Sequence, residues 1–192
     1  MDTVTKQLTP KERILKTVDR LFYEQGYLAT GINQIIAEAQ VAKASFYQHF
    51  PSKEALVLEY IKTYNSSFVQ QLRQLDKQHP EPKAKILALF DHIACFAQQA
   101  ECRGCAFLNI AAEFSQPESK PRQLIAQLKT DLKVYIEQLV LKALPEDISP
   151  ESAQTRATAV YLLFEAALVE SRIHHDLWPI EASKAAANQL LS

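Results

Sequence analysis

Residues 26–56, GYLATGINQIIAEAQVAKASFYQHFPSKEAL, decide the fold of this chain. Thr30 stands where a helix N-cap is expected, and Ile32, Ile35, Ile36 and Ala39 follow at helical spacing, giving one buried stripe. Gln40-Val41-Ala42 interrupts that pattern, with Val41 placed to drop into a small core between helices. A second helix is expected from Lys43 to His49, with Phe46 and Phe50 inward and Lys43, Ser45, Tyr47 and His49 outward. Pro51 stops it, and Ser52 is placed to cap the next. Two short helices joined in this way have the layout of a helix-turn-helix, whose second helix enters the DNA major groove.

The flanking sequence extends the helical reading in both directions. Thr9-Pro10-Lys11-Glu12 is a capping box with proline at the first helical position. Ile14, Leu15, Val18, Leu21 and Phe22 then form one apolar face that ends at Gly26, a natural residue just past a helix end. After Ser52 a long helix is expected to about Gln78, where His79-Pro80-Glu81-Pro82 breaks it. Further helices are expected over 83–100, over 105–114, around Leu124 to Leu139, over 151–174 and over 180–191. The helix over 151–174 is apolar on most of its surface, so burial nearly all round is expected for it. The fold class is all-α, with about nine helices.

Composition narrows the function. Three glycines and no sustained alternation argue against β-structure, and 47% hydrophobic with 22% charged residues is ordinary for a globular chain. The net charge is −1, and residues 1–53 hold only a slight basic excess, so charge alone does not point to nucleic acid. The motif carries that reading. The opening MDTVTKQLTPKER lacks an apolar leader core, and no apolar run reaches the ~18 residues of a membrane span. A cytoplasmic protein is the expectation.

The run G-Y-x-A-T, then I-x-x-I-x-x-x-A, then K-A-S-F-Y-x-H-F-x-S-K-E-x-L resembles the N-terminal domain of the TetR/AcrR family of bacterial transcriptional regulators. The likeness covers roughly residues 10 to 60. Gln40 stands where the family's turn often has glycine, and Ala42 where a serine often caps the recognition helix. A missing cap costs about 1 kcal/mol, and glutamine at a positive φ adds strain. The resemblance implies a three-helix DNA-binding domain over 1–52 and a helical ligand-binding and dimerisation bundle over 53–192. It implies a homodimer on a palindromic operator in double-stranded DNA, released by a small-molecule effector.

The expected DNA-binding residues are Thr30, Lys43, Ala44, Ser45, Tyr47, His49 and Lys53. Lys43, Ala44 and Ser45 open the recognition helix, where base edges come within reach; lysine reads guanine acceptors and a methyl group can touch thymine. Tyr47, His49 and Lys53 suit phosphate contacts that fix register. Lys6, Lys11 and Lys16 are read as solvated surface residues. For the second domain the resemblance implies a pocket, and the aromatic and polar residues there are Tyr64, Phe68, Phe90, Phe107, Asn109, Glu113, Tyr135, Tyr161, Phe164 and Glu165. Such a lining suits a hydrophobic or aromatic ligand, although each residue taken singly reads as core before pocket. Glu113, an acid in an apolar helix, needs a partner.

Cys102-Arg-Gly-Cys105 places two thiols beside an arginine and a helix N-terminus, a setting in which redox or electrophile sensing occurs. Buried structural cysteine is the plainer reading. Cys95 and His92 complete the arithmetic of a Cys3His metal site, but nothing else resembles a zinc module, so neither metal nor cofactor is expected. Catalytic signatures are missing: no Ser/His/Asp order, no H-E-x-x-H and no phosphate loop is present, and His174-His175-Asp176 reads as a helix end. The chain is therefore expected to bind rather than to catalyse.

Overall fold

The computed structural model describes residues 8–192. Lys6 and the first residues of the opening segment lie outside the described residues. In order the helices are α1 (Pro10–Glu24), α2 (Ile32–Glu38), α3 (Lys43–His49), α4 (Lys53–Gln78), α5 (Pro82–Gln99), α6 (Ala106–Glu113), α7 (Lys120–Ala143), α8 (Pro150–His174) and α9 (Trp178–Leu190). Among the described residues there is no strand. The fold is all-α, as the patterning of apolar residues implies.

The chain divides into two compact units. One comprises the described part of Met1–Asn65 together with Phe107–Ile125; the other comprises Ser66–Ala106 and Ala126–Ser192. The expected boundary after residue 52 does not coincide with this division: packing assigns the first half of α4 and nearly all of α6 to the unit that holds the helix-turn-helix.

In the first unit α1 packs on α2 and α3. Ile14, Val18, Leu21 and Phe22 of α1 are buried, as are Ile35, Phe46, Phe50, Leu56 and Tyr60, and Phe22 meets Tyr60 edge to face at 5.6 Å. The capping box is closed at both ends: the Thr9 hydroxyl accepts from the Glu12 amide at 3.3 Å, and Thr9 N–H donates to Glu12 Oε2 at 2.7 Å. Arg20 bridges to Glu38, whose other oxygen accepts from Gln34 at 2.9 Å, so α1 and α2 are tied on the surface.

In the second unit α8 packs against α9, and α5 against both. Its core gathers Ile86, Leu89, Phe90 and Ile93 with Ile136, Val140, Val160, Phe164 and Ile180. Ser149 caps α8 through the Ser152 amide with Pro150 at the first position. His175 ends α8 in the left-handed region at φ 50°, and Asp176 then accepts from the amides of Leu177 and Trp178 to open α9. The reading of His174-His175-Asp176 as a helix end is thus correct.

One expectation differs. α8 buries a single stripe of Ala157, Val160, Phe164, Ala167, Leu168 and Ser171, while Leu162 is 57% and Ile173 64% exposed. Within one chain α8 is therefore covered along this stripe and not nearly all round.

Candidate DNA-binding interface

The recognition helix is held by what lies under it. Phe46 is fully buried and Phe50 nearly so, which fixes the roll of α3 about its axis. That roll leaves Lys43, Ala44, Tyr47, Gln48 and His49 exposed and Ser45 half-buried. Tyr47 also touches the edge of Phe46 at 5.3 Å, so part of its ring packs while 43% of the residue stays exposed. Gln48 shares this exposed row and was not singled out from sequence; its type gives no apolar signal, and only the helix roll reveals it.

The turn between α2 and α3 is strained where the sequence suggests. Gln40 sits at φ 53°, the region that favours glycine, and Ala42 stands at the N-cap with no side-chain oxygen to offer. The strain is offset by Arg13, whose guanidinium donates to the Gln40 carbonyl at 3.0 Å. A charged donor on a turn carbonyl is a stronger tie than a neutral one. At the other end of α3 the Ser52 hydroxyl accepts from the Ala55 amide at 3.0 Å, starting α4.

Thr30 does not play the part expected of it. The N-cap of α2 is Gly31, and Thr30 is fully buried, its hydroxyl donating to the Gly26 carbonyl at 2.7 Å. A side chain with no surface cannot touch DNA; it closes the turn from within. Lys53 is also more constrained than a free surface lysine. Its ammonium lies 4.2 Å from the Tyr27 ring centroid, and burial pulls its pKa below the ordinary lysine value while the Glu113 charge acts the other way.

Glu113 has the partner its chemistry requires, and that partner is backbone. Its two oxygens accept from the amides of Tyr27 at 2.8 Å and Leu28 at 2.6 Å. It is therefore occupied within the first unit and is not placed as a lining residue. In the same unit Tyr64 and Phe107 meet edge to face at 5.3 Å, and Asn109 lies half-buried on α6.

The remaining expected ligand residues lie in the second unit. Phe90 and Phe164 pack edge to face at 5.7 Å and are buried, as core residues are. Phe68 lies beside His92, whose ring nitrogen is 3.0 Å from Gln71 Oε1; burial lowers the His92 pKa. The Tyr135 hydroxyl donates to Asp76 at 2.9 Å, and burial with that bond pushes its pKa up. Glu165 accepts from Lys129 at 2.8 and 2.6 Å, with Tyr161 close enough to feel the charge. Burial opposes the Lys129 ammonium, while Cys105 and Glu165 beside it raise its pKa above the ordinary lysine value. Cys102 is buried in a turn where Glu101 and Cys102 both take positive φ. Among the described residues no group of three or more His, Cys, Asp or Glu side chains is gathered to hold a metal ion, and no helix is long and apolar enough to cross a membrane.

A short exposed helix, seated on an aromatic pair and braced by a second helix before it, defines a helix-turn-helix DNA-binding protein. Residues 14–60 match the model of the bacterial regulatory proteins of the tetR family, and residues 82–187 match that of the tetracyclin repressor-like C-terminal domain. The chain belongs to the TetR family of transcriptional regulators. It is 30% identical over 164 residues to the HTH-type transcriptional regulator LmrA of Bacillus subtilis, covering 84% of this chain and 85% of that one. It is 24% identical over 192 residues to the transcriptional repressor NemR of Escherichia coli, covering 95% and 94%. A TetR-family regulator from Streptomyces coelicolor has the same fold, with a TM-score of 0.84 at 23% identity over 95% of this chain and 94% of that one. Like its relatives, the protein is a DNA-binding transcriptional regulator.

Proposed function

We propose that this protein is a repressor that binds a palindromic operator as a homodimer and leaves it when a small hydrophobic or aromatic effector binds. The single observation that carries the reading is the exposed row of α3, with Lys43 and Ala44 at its start and Tyr47 and His49 beyond them, opposite buried Phe46 and Phe50. In this reading Lys43, Ala44 and Ser45 meet base edges, while Tyr47, His49 and Lys53 meet phosphates. Residues 1–52 carry DNA recognition, and 53–192 carry the effector and the dimer contact. Exposed Leu162 and Ile173 on α8, with Trp178 at the start of α9, support a second copy as the cover for that side. The E. coli relative NemR is a transcriptional repressor, which supports repression over activation.

The effector acts by binding the DNA-incompetent state better than the DNA-bound one. A coupling of ~1–3 kcal/mol weakens operator binding roughly 5- to 150-fold. α4 spans 26 residues, about 39 Å of helix, and contributes residues to both compact units, so it is the element through which that coupling is proposed to run. The test is operator affinity measured against a panel of apolar and aromatic effectors. Affinity unmoved by any of them would remove the ligand mechanism.

A second reading has its own observation. The Lys129 ammonium, held by Glu165 at 2.6 Å, lies close enough to Cys105 to feel it, a setting in which a sulfur can act as a nucleophile toward oxidants or electrophiles. In this reading Cys105, with Cys102 as the second thiol, senses such agents. Mild oxidant then releases DNA from the natural protein and not from Cys105→Ser. Equal release from the Cys102→Ser, Cys105→Ser double variant would return both residues to a packing role.

A further inference from the structure

The last residue of α6 reaches the backbone that leads into α2. Glu113 gives each carboxylate oxygen its own amide, Oε1 to Tyr27 and Oε2 to Leu28. Phe114 adds ring contact with Tyr27 at 4.9 Å, and the Lys53 ammonium stands near the same ring. The turn so gripped has been shaped to admit the acid: a Cβ on Gly26 would lie 2.7 Å from Glu113 Oε1. Immediately after it come Thr30, whose hydroxyl bonds the Gly26 carbonyl, and Gly31, the N-cap of α2. The position of α2, and of α3 beyond it, is therefore set partly by a side chain 85 residues away in sequence from Leu28.

We propose that Glu113 is a positioning residue for DNA binding, which fixes the 26–30 turn and through it the presentation of the recognition helix. The charge of Glu113 cannot account for such a role. A carboxylate in the DNA-binding unit repels a polyanion, so electrostatics alone predicts that neutralising it tightens binding. Positioning predicts the reverse sign. A charged acceptor that satisfies two amides also holds a turn more firmly than a neutral group can.

The experiment uses the full chain carrying Glu113→Gln, which keeps the shape but offers one carbonyl oxygen and turns an NH2 group toward the second amide. Affinity is measured at several salt concentrations for the duplex that the natural protein selects from a random pool. Amide NMR resonances of Tyr27 and Leu28 are followed alongside. The expected result is displaced Tyr27 and Leu28 resonances, unchanged helicity, and binding about tenfold weaker at every salt concentration with the same salt slope. Unchanged or tighter binding with those resonances displaced overturns the proposal. Should the variant lose helicity, two further measurements decide. Glu113→Asp, one methylene too short to span both amides, is expected to weaken binding, and natural affinity in it overturns the proposal. In the natural protein both amides are expected to exchange as slowly as those of α2, and fast exchange overturns it as well.

Discussion

Gly26 and Glu113 define each other. Gly26 turns at φ 90°, where a side chain is strained, and Glu113 Oε1 occupies the space its Cβ would need. Gly26→Ala therefore meets two penalties at once: about 1–2 kcal/mol for the left-handed backbone, and displacement of the carboxylate from its amides. Denaturant unfolding should show a loss of at least that size. A loss below about 0.5 kcal/mol, within the range of a plain surface change, would mean that the turn relaxes freely.

The turn between α2 and α3 should improve on substitution. Gln40→Gly relieves a residue at φ 53° and leaves the carbonyl that Arg13 bonds in place. Ala42→Ser supplies the missing N-cap oxygen of α3. Each is expected to stabilise the protein by about 0.5–1 kcal/mol, measured as a shift in the denaturant midpoint. Destabilisation by Gln40→Gly would show that the glutamine side chain does more than tolerate the turn.

Ile173→Glu and Leu162→Glu place charge on the exposed side of α8 without touching the stripe that packs within the chain. Sedimentation should find the natural protein dimeric and the double variant monomeric, with helicity retained. A double variant that stays dimeric would place the second copy elsewhere.

Lys129 gives a pH signature. Burial opposes its ammonium, but Cys105 and Glu165 outweigh that effect, so its folded pKa lies above the ordinary 10.5. The protonated group then stabilises the fold fully below the unfolded value, and the contribution is lost as pH rises through the folded value. Lys129→Met should cost about 1–3 kcal/mol near neutral pH by stranding Glu165. It should also lose less further stability than the natural protein as pH rises above the ordinary lysine value of 10.5. Parallel alkaline curves for the two proteins would contradict the pairing.

Helix positions were legible because apolar spacing, prolines and capping residues agree along the chain. α4 ends at Gln78 ahead of Pro80, and the α1 capping box is read directly from Thr9 and Glu12. What sequence could not give was partnership over distance. Glu113 was visible as an acid in need of a partner, but the amides of Tyr27 and Leu28 carry no sequence signal, since every residue has such a group. Thr30 illustrates the opposite error: its type suits a cap, yet the turn at Gly26 buries it one position before the actual cap, Gly31. The sidedness of α8 was hidden because the stripe covered within the chain and exposed Leu162 and Ile173 away from it are both apolar.

The central claim is that α3 reads a specific duplex. The direct measurement is a mobility-shift titration, at one fixed salt concentration, of the palindromic region upstream of the protein's own or a neighbouring gene against a scrambled duplex of equal length. The account predicts two protomers per palindrome and at least about 10³-fold preference over the scrambled duplex. It also predicts that Lys43→Ala narrows that preference, whereas Tyr47→Ala and Lys53→Ala weaken binding to both duplexes alike. Equal affinity for palindrome and scrambled duplex, or a preference untouched by Lys43→Ala, would contradict it.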